Sequence, residues 1–75
     1  MREQILTILK GIKPTKDLSQ IDNIIEGGYL DSFEFMALIA ELNTAFDIEI
    51  DLDDMEPANF NSVDAMAAMI QRHKS

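Results

Sequence analysis

Between Ser32 and Phe46 the apolar residues Phe33, Met36, Leu38, Ile39, Leu42 and Phe46 recur at helical spacing, and this run starts directly after a glycine-rich turn, Gly27-Gly28-Tyr29-Leu30. A strand cannot carry that period. Asp31, with Glu34 three residues on, is a capping-box arrangement, so Ser32 is expected to be the first helical residue. Its hydroxyl then lies beside unpaired backbone N–H groups and the positive end of the helix dipole, where a phosphate or phosphodiester is electrostatically welcome. A serine that carries a phosphate-linked group is the first expectation. A serine that merely suits an early helical position is the competing one.

Seventy-five residues are expected to form one domain, 1–75, whose core must use almost every periodic apolar position. The chain has no cysteine, so it supplies no disulfide, no zinc-thiolate site and no thiol nucleophile. The first ten residues, Met1 to Lys10, are too short and too broken by polar residues for a signal peptide or a membrane span. A cytoplasmic monomer is the expectation. The net charge is −8, and the six basic residues, Arg2, Lys10, Lys13, Lys16, Arg72 and Lys74, lie near the two ends. From Asp17 to Gln71 there is no Lys or Arg, so the middle of the protein repels phosphate backbones and anionic lipids. Neither nucleic acid nor membrane is expected as a partner. The same field either speeds encounter with basic protein surfaces or only keeps a small domain dissolved.

Ile5, Ile8, Leu9 and Ile12 define a first amphipathic helix from about Arg2 to Gly11 or Ile12, ended by Gly11 and Pro14. The connection from Lys13 to Leu30 carries Leu18, Ile21, Ile24, Ile25, Tyr29 and Leu30, too many apolar residues for a loose linker. It is expected to pack as an ordered loop with a short helical turn near residues 19–24. The second helix runs from Ser32 to about Phe46, with Asp47 beginning its exit. Ile48, Ile50 and Leu52 alternate with acidic residues, but no second strand pattern could pair with them, so an extended loop that pins apolar side chains into the core is expected. Pro57 starts a short helical turn anchored by Phe60. Ser62 or Asn61 caps a last helix with Val63, Met66, Ala67 and Ile70 on its buried face. Met66 lies on that stripe and Met69 off it. For Met36, core packing is the plainer role. Three long helices and one short one result.

A catalytic serine needs a base within reach, and the only histidine, His73, lies at the far end of the chain. The flanks Leu30-Asp31-Ser32-Phe33-Glu34 lack the glycines of a nucleophile elbow. No catalytic residue is assigned. Asp47, Glu49 and Asp51 are spaced like the start of a calcium loop, but Leu52 stands where the turn needs glycine and Ala58 where a bidentate Glu belongs. No metal site is assigned, and most of these acids are read as a solvated face.

Taken together, these residues resemble the acyl and peptidyl carrier proteins, small acidic helical bundles modified with 4′-phosphopantetheine on a serine. Gly28-Tyr29-Leu30-Asp31-Ser32-Phe33 looks like the family's attachment motif. Glu41-Leu42-Asn43 through Phe46-Asp47-Ile48-Glu49-Ile50 looks like the end of its second helix and the loop after it. Pro57 through Val63 resembles its short third helix and the cap of its fourth. The resemblance implies an all-α, four-helix acyl-carrier-like bundle that does no catalysis. It implies that Ser32 takes the arm from coenzyme A, and that acyl or aminoacyl cargo rides as a thioester on the arm's thiol. Asp31 and Phe33 would aid recognition by a phosphopantetheinyl transferase; Met36, Ala37 and Ala40 would form a docking surface, with Glu34 and Glu41 steering basic partners. The implied partners are that transferase, an adenylating enzyme that activates the cargo, and downstream acyl-processing enzymes. Phe33 replaces the usual leucine after the serine. The second helix, with Ala37, Asn43, Thr44 and Ala45, is less acidic than in fatty-acid carriers, so the chain looks closer to stand-alone carriers beside adenylating enzymes: peptidyl, aminoacyl and D-alanyl carriers. Within the family the named alternative is a D-alanyl carrier for cell-envelope modification. Outside it, the rival is an acidic helical adaptor that never carries a prosthetic group.

Overall fold

The computed structural model describes residues 1–74, and among them the chain is all helical, with α1 at Arg2–Ile12, α2 at Ser32–Phe46, α3 at Pro57–Phe60 and α4 at Val63–Lys74. Helix α1 packs against α2 and α4, and α3 packs against α4. The stripes expected from periodicity meet in one core: Ile5 and Leu9 of α1, Leu38, Ile39, Leu42 and Phe46 of α2, Phe60 of α3, and Val63, Met66 and Ile70 of α4 are buried. An edge-to-face pair, Phe35 against Phe60 with ring centroids 5.0 Å apart, ties α2 to α3. This is the four-helix bundle of the acyl-carrier type.

The connection from 13 to 30 is ordered, as its apolar content requires: Leu18, Ile24 and Leu30 are buried in the same core. It contains turns but no helix, so the short helical turn expected near 19–24 is absent. Some of its backbone donors form local turns, such as Ile21 N–H to the Leu18 carbonyl at 3.3 Å, and others are taken by side chains or by a distant part of the chain. The N–H of Ser19 donates to the Asp17 carboxylate at 3.0 Å, and the N–H groups of Ile24, Ile25 and Glu26 all donate to Asn61.

Three side chains depart from expectation. Met69 is fully buried rather than off the stripe, because α4 is covered from two sides, by α1 and α3, which widens its apolar face. Met36 is 57% exposed, since the α2 residues that meet the core are Leu38, Ile39, Leu42 and Phe46. Leu52 is 84% exposed instead of pinned inside. The chain there is a 3₁₀ turn, Leu52–Asp54, closed by a reciprocal Asp51/Asp54 cap, and the turn rolls Leu52 outward while Ile50 stays buried.

The last turn of α4 fastens the 46–60 segment. Lys74 Nζ donates to the Phe46 carbonyl at 2.9 Å, filling an acceptor left open at the end of α2. Arg72 donates to Asn59 at 3.0 Å, and His73 Nε2 lies 2.7 Å from Asp54 Oδ2. At the other end, Arg2 pairs with Asp64, tying α1 to the start of α4. Partial burial raises the Asp54 carboxyl, but the contacts with His73 and with Asp51 outweigh it and hold the group below the usual carboxylate range.

Two predictions follow from this packing. Gly11 lies in the last turn of α1 without a positive φ, and a Cβ built there meets nothing within 4 Å. Gly11→Ala should therefore stabilise the protein by about 0.5 kcal/mol in urea unfolding. The depressed Asp54 adds stability that is present above its unfolded value of about 3.9 and is lost as pH falls through its lower folded value. Asp54→Asn should cost about 0.5 kcal/mol near neutrality, and the difference from wild type should shrink below roughly pH 4. A difference that persists unchanged at pH 2 would remove Asp54 ionisation as its source.

Candidate functional site

The site begins with two glycines that do different work. Gly28 has φ +75°, a left-handed conformation that side chains rarely adopt. A Cβ on Gly27 would lie 2.6 Å from the Asn23 carbonyl oxygen and 2.8 Å from the Tyr29 ring. Together they turn the chain sharply enough for Leu30 to enter the core and for Asp31 to emerge as the cap of α2.

The cap is reciprocal. The Glu34 N–H donates to Asp31 Oδ1 at 2.8 Å, and the Asp31 N–H donates to Glu34 Oε1 at 3.0 Å. Lys13 Nζ lies 3.4 Å from both Glu34 carboxylate oxygens, bringing a cation from the end of α1 to the first turn of α2. Ser32, between these carboxylates in sequence, is exposed at the first position of α2. Its own N–H and that of Phe33 belong to the first turn, where no carbonyl within the helix can reach them.

This arrangement fits a phosphodiester on Ser32. Asp31 and Glu34 spend charge on backbone donors and on Lys13, so a phosphate there would not face two uncompensated carboxylates, and the helix N-terminus favours its charge. Ser62, by contrast, is half-buried, and its Oγ accepts from the Ala65 N–H at 3.0 Å as the cap of α4. Ser19 is half-buried as well.

The residues named from the sequence as recognition positions lie along α2 from this point. Phe33 is 85% exposed, so it belongs to no core stripe, and Met36, Ala37, Ala40 and Glu41 are also exposed. Glu34 is half-buried and committed to the cap and to Lys13, whereas Glu41 has no hydrogen-bonding or ion-pair partner among the described residues. Phe33, Ala37 and Glu41 follow one another on the flank of α2 that faces α1, and Met36 lies on another flank.

Asn61 is the positioning residue that sequence reading treated only as a possible cap. Its side-chain oxygen accepts from the N–H groups of Ile25 (3.0 Å) and Glu26 (3.1 Å), its Nδ2 donates to Glu26 Oε1 (2.6 Å), and its backbone carbonyl accepts from the Ile24 N–H (2.8 Å). These bonds hold residues 24–26 just before the glycine turn, so they set where Ser32 appears. Sequence offered one signal, an asparagine where a helix turns into the next, but nothing in it named the partner 35 residues away.

Comparison with known proteins agrees with this geometry. Residues 3–70 match the phosphopantetheine attachment site family. The D-alanyl carrier protein of Lactococcus lactis subsp. lactis (strain IL1403) is 34% identical over 76 residues, covering 99% of this chain and 96% of that protein. The D-alanyl carrier protein of Lactococcus lactis subsp. cremoris (strain MG1363) is 36% identical over 73 residues, covering 95% and 92%. The chain belongs to the phosphopantetheine attachment family of carrier proteins, and its prosthetic group is a covalently held 4′-phosphopantetheine. No helix among the described residues is long and apolar enough to cross a membrane.

Removing the buried Asn61 amide should strand the backbone donors of Ile25 and Glu26, while the exposed Glu26 carboxylate turns to water. Asn61→Ala is expected to cost about 2 kcal/mol in urea unfolding, with amide shifts that move furthest at residues 24–34. Loss below about 0.5 kcal/mol would mean that water replaces the amide at no cost.

Proposed function

We propose that Ser32 bears the phosphopantetheine arm and that the protein carries aminoacyl groups, D-alanine being the cargo its relatives favour. The observation that carries the first part is the exposed Ser32 hydroxyl at the start of α2, flanked by carboxylates already bonded to backbone and to Lys13. When bound, the arm supplies the thiol that this cysteine-free chain lacks, so that cargo can be held as a thioester. On this reading the protein's own residues position and present the arm. Asp31 and Glu34 fix the helix start, Asn61 fixes the turn before it, and exposed Phe33 and Met36 offer apolar contacts to whichever enzyme reaches Ser32.

The second part rests on the relatives' printed names and on their full-length similarity. The partners this reading requires are a phosphopantetheinyl transferase, an adenylating enzyme that selects the amino acid, and an acceptor enzyme downstream. Acidic residues without intervening Lys or Arg between Asp17 and Gln71 would speed encounter with basic faces on those enzymes.

Incubation with coenzyme A and a broad-specificity transferase should add the mass of one phosphopantetheine to the wild type and none to Ser32→Ala. The modified protein should then gain an alanyl group from a D-alanine-activating enzyme. Arm attachment without D-alanine loading, while another amino or fatty acid loads, would keep the carrier and replace its cargo. No attachment with several transferases would favour an adaptor role.

A further inference from the structure

A trough runs along the outside of the bundle between α1 and α2, starting at the turn that presents Ser32. Its first part is lined by Gly11, Ile12, Asp31, Phe33, Glu34 and Ala37; it continues over the shared Gly11, Ile12 and Ala37 past Thr7, Ile8 and Ala40 to Glu41. The two parts have volumes of about 440 and 460 Å³. The floor is kept low by small residues. Gly11 is the informative one, because its backbone does not need glycine and packing does not either: its φ is not positive, and an added Cβ meets nothing within 4 Å. A larger residue at position 11 would fill the trough without touching the core.

We infer that this trough is the resting place of the arm and its aminoacyl cargo, with Glu41 receiving the cargo's ammonium group. The inference rests on Ser32 being the attachment residue. Three features select this occupant over a partner's side chain. Asp31 and Phe33, the residues on either side of Ser32, line the near end, so a group tethered to Ser32 starts beside the trough, although Ser32 itself is not in its lining. Glu41 lies nine residues beyond Ser32 on α2, roughly 14 Å at the helical rise. The arm has roughly thirteen bonds from phosphorus to sulfur, about 15 Å at the reach of an extended amide chain. The third feature is charge. Asp31 and Glu34 are engaged in the cap, which leaves Glu41, without hydrogen-bonding or ion-pair partner among the described residues, as the carboxylate at the far end, where an α-amino group would arrive and an acyl group would bring no charge. The half-buried Ile8 and Ile12 provide apolar walls for the methylene and methyl groups between. An exposed ion pair biases a tethered group rather than locking it, so the contact is screened by salt.

The test uses the protein carrying, on Ser32, an arm whose thiol is replaced by an amine, joined to alanine as a hydrolysis-resistant amide, alongside the N-acetylalanyl form. Intact mass establishes attachment independently. In ¹H–¹⁵N spectra the alanyl arm should move the amides of Gly11, Ala37, Ala40 and Glu41, with nuclear Overhauser contacts from the alanyl methyl to Ala40. N-acetylation, Glu41→Gln and 0.5 M salt should each weaken the Ala40 contact several-fold, while leaving the fold and the attachment at Ser32 unchanged. Gly11→Phe should remove every trough contact, and Gly11→Ala should retain the contact at Ala40. Shifts confined to residues 31–34, shifts centred on Phe35 and Phe60, or trough shifts seen only with the transferase present would each overturn the inference. Absence of any mass gain would instead overturn the attachment at Ser32 from which it starts.

Discussion

The buried amide of Asn61 is the interaction on which the rest of the molecule's working geometry depends. The core is too small to let the connection from 13 to 30 wander, yet that segment has no helix to satisfy its own backbone. Asn61 satisfies three of its N–H groups at once, through side chain and carbonyl, from the junction between α3 and α4. A segment pinned at Ile24, Ile25 and Glu26 then makes its turn at Gly27 and Gly28, buries Leu30, and delivers Asp31 to its capping position. Packing at one end of the bundle thereby fixes a hydroxyl at the start of α2.

Charge is organised around the same points. Three cations sit on backbone or carboxylate groups, Lys13 on Glu34, Lys74 on the Phe46 carbonyl and Arg2 on Asp64, and Lys16 lies over the Tyr29 ring at 5.4 Å. Little positive charge remains to offset the acids of the middle of the chain. That imbalance costs some stability through self-repulsion. The proposed phosphodiester on Ser32, with its one negative charge, would meet neighbouring carboxylates already engaged by the cap and by Lys13.

Much of this was legible in the sequence, for reasons that differ by element. The helix periods of α1, α2 and α4 were readable because each buries one face, and the Asp31–Glu34 pair because a capping box is a local pattern of fixed spacing. Short-range chemistry therefore placed Ser32 at the first position of α2. What was not legible depends on contacts across the chain. Met69 is buried because two elements cover α4, which its own period cannot reveal; Leu52 is exposed because the Asp51/Asp54 cap curls the backbone before alternation can place it. Residues 19–24 form a turn and no helix, with the Ser19 and Ile24 N–H groups at their two ends taken by Asp17 and Asn61. The role of Asn61 itself spans 35 residues and has no periodic signature.

In the proposed assignment, position in the fold and not the mere presence of a serine chooses the attachment residue: Ser32 is exposed at a helix N-terminus, whereas Ser62 is spent as a cap and Ser19 is half-buried. Fragmentation mass spectrometry of the phosphopantetheine-modified wild-type protein tests that claim most directly, because it assigns the added group to a residue. A modification confined to Ser32 is expected. The same mass found on Ser19, Ser62 or Ser75 would contradict it.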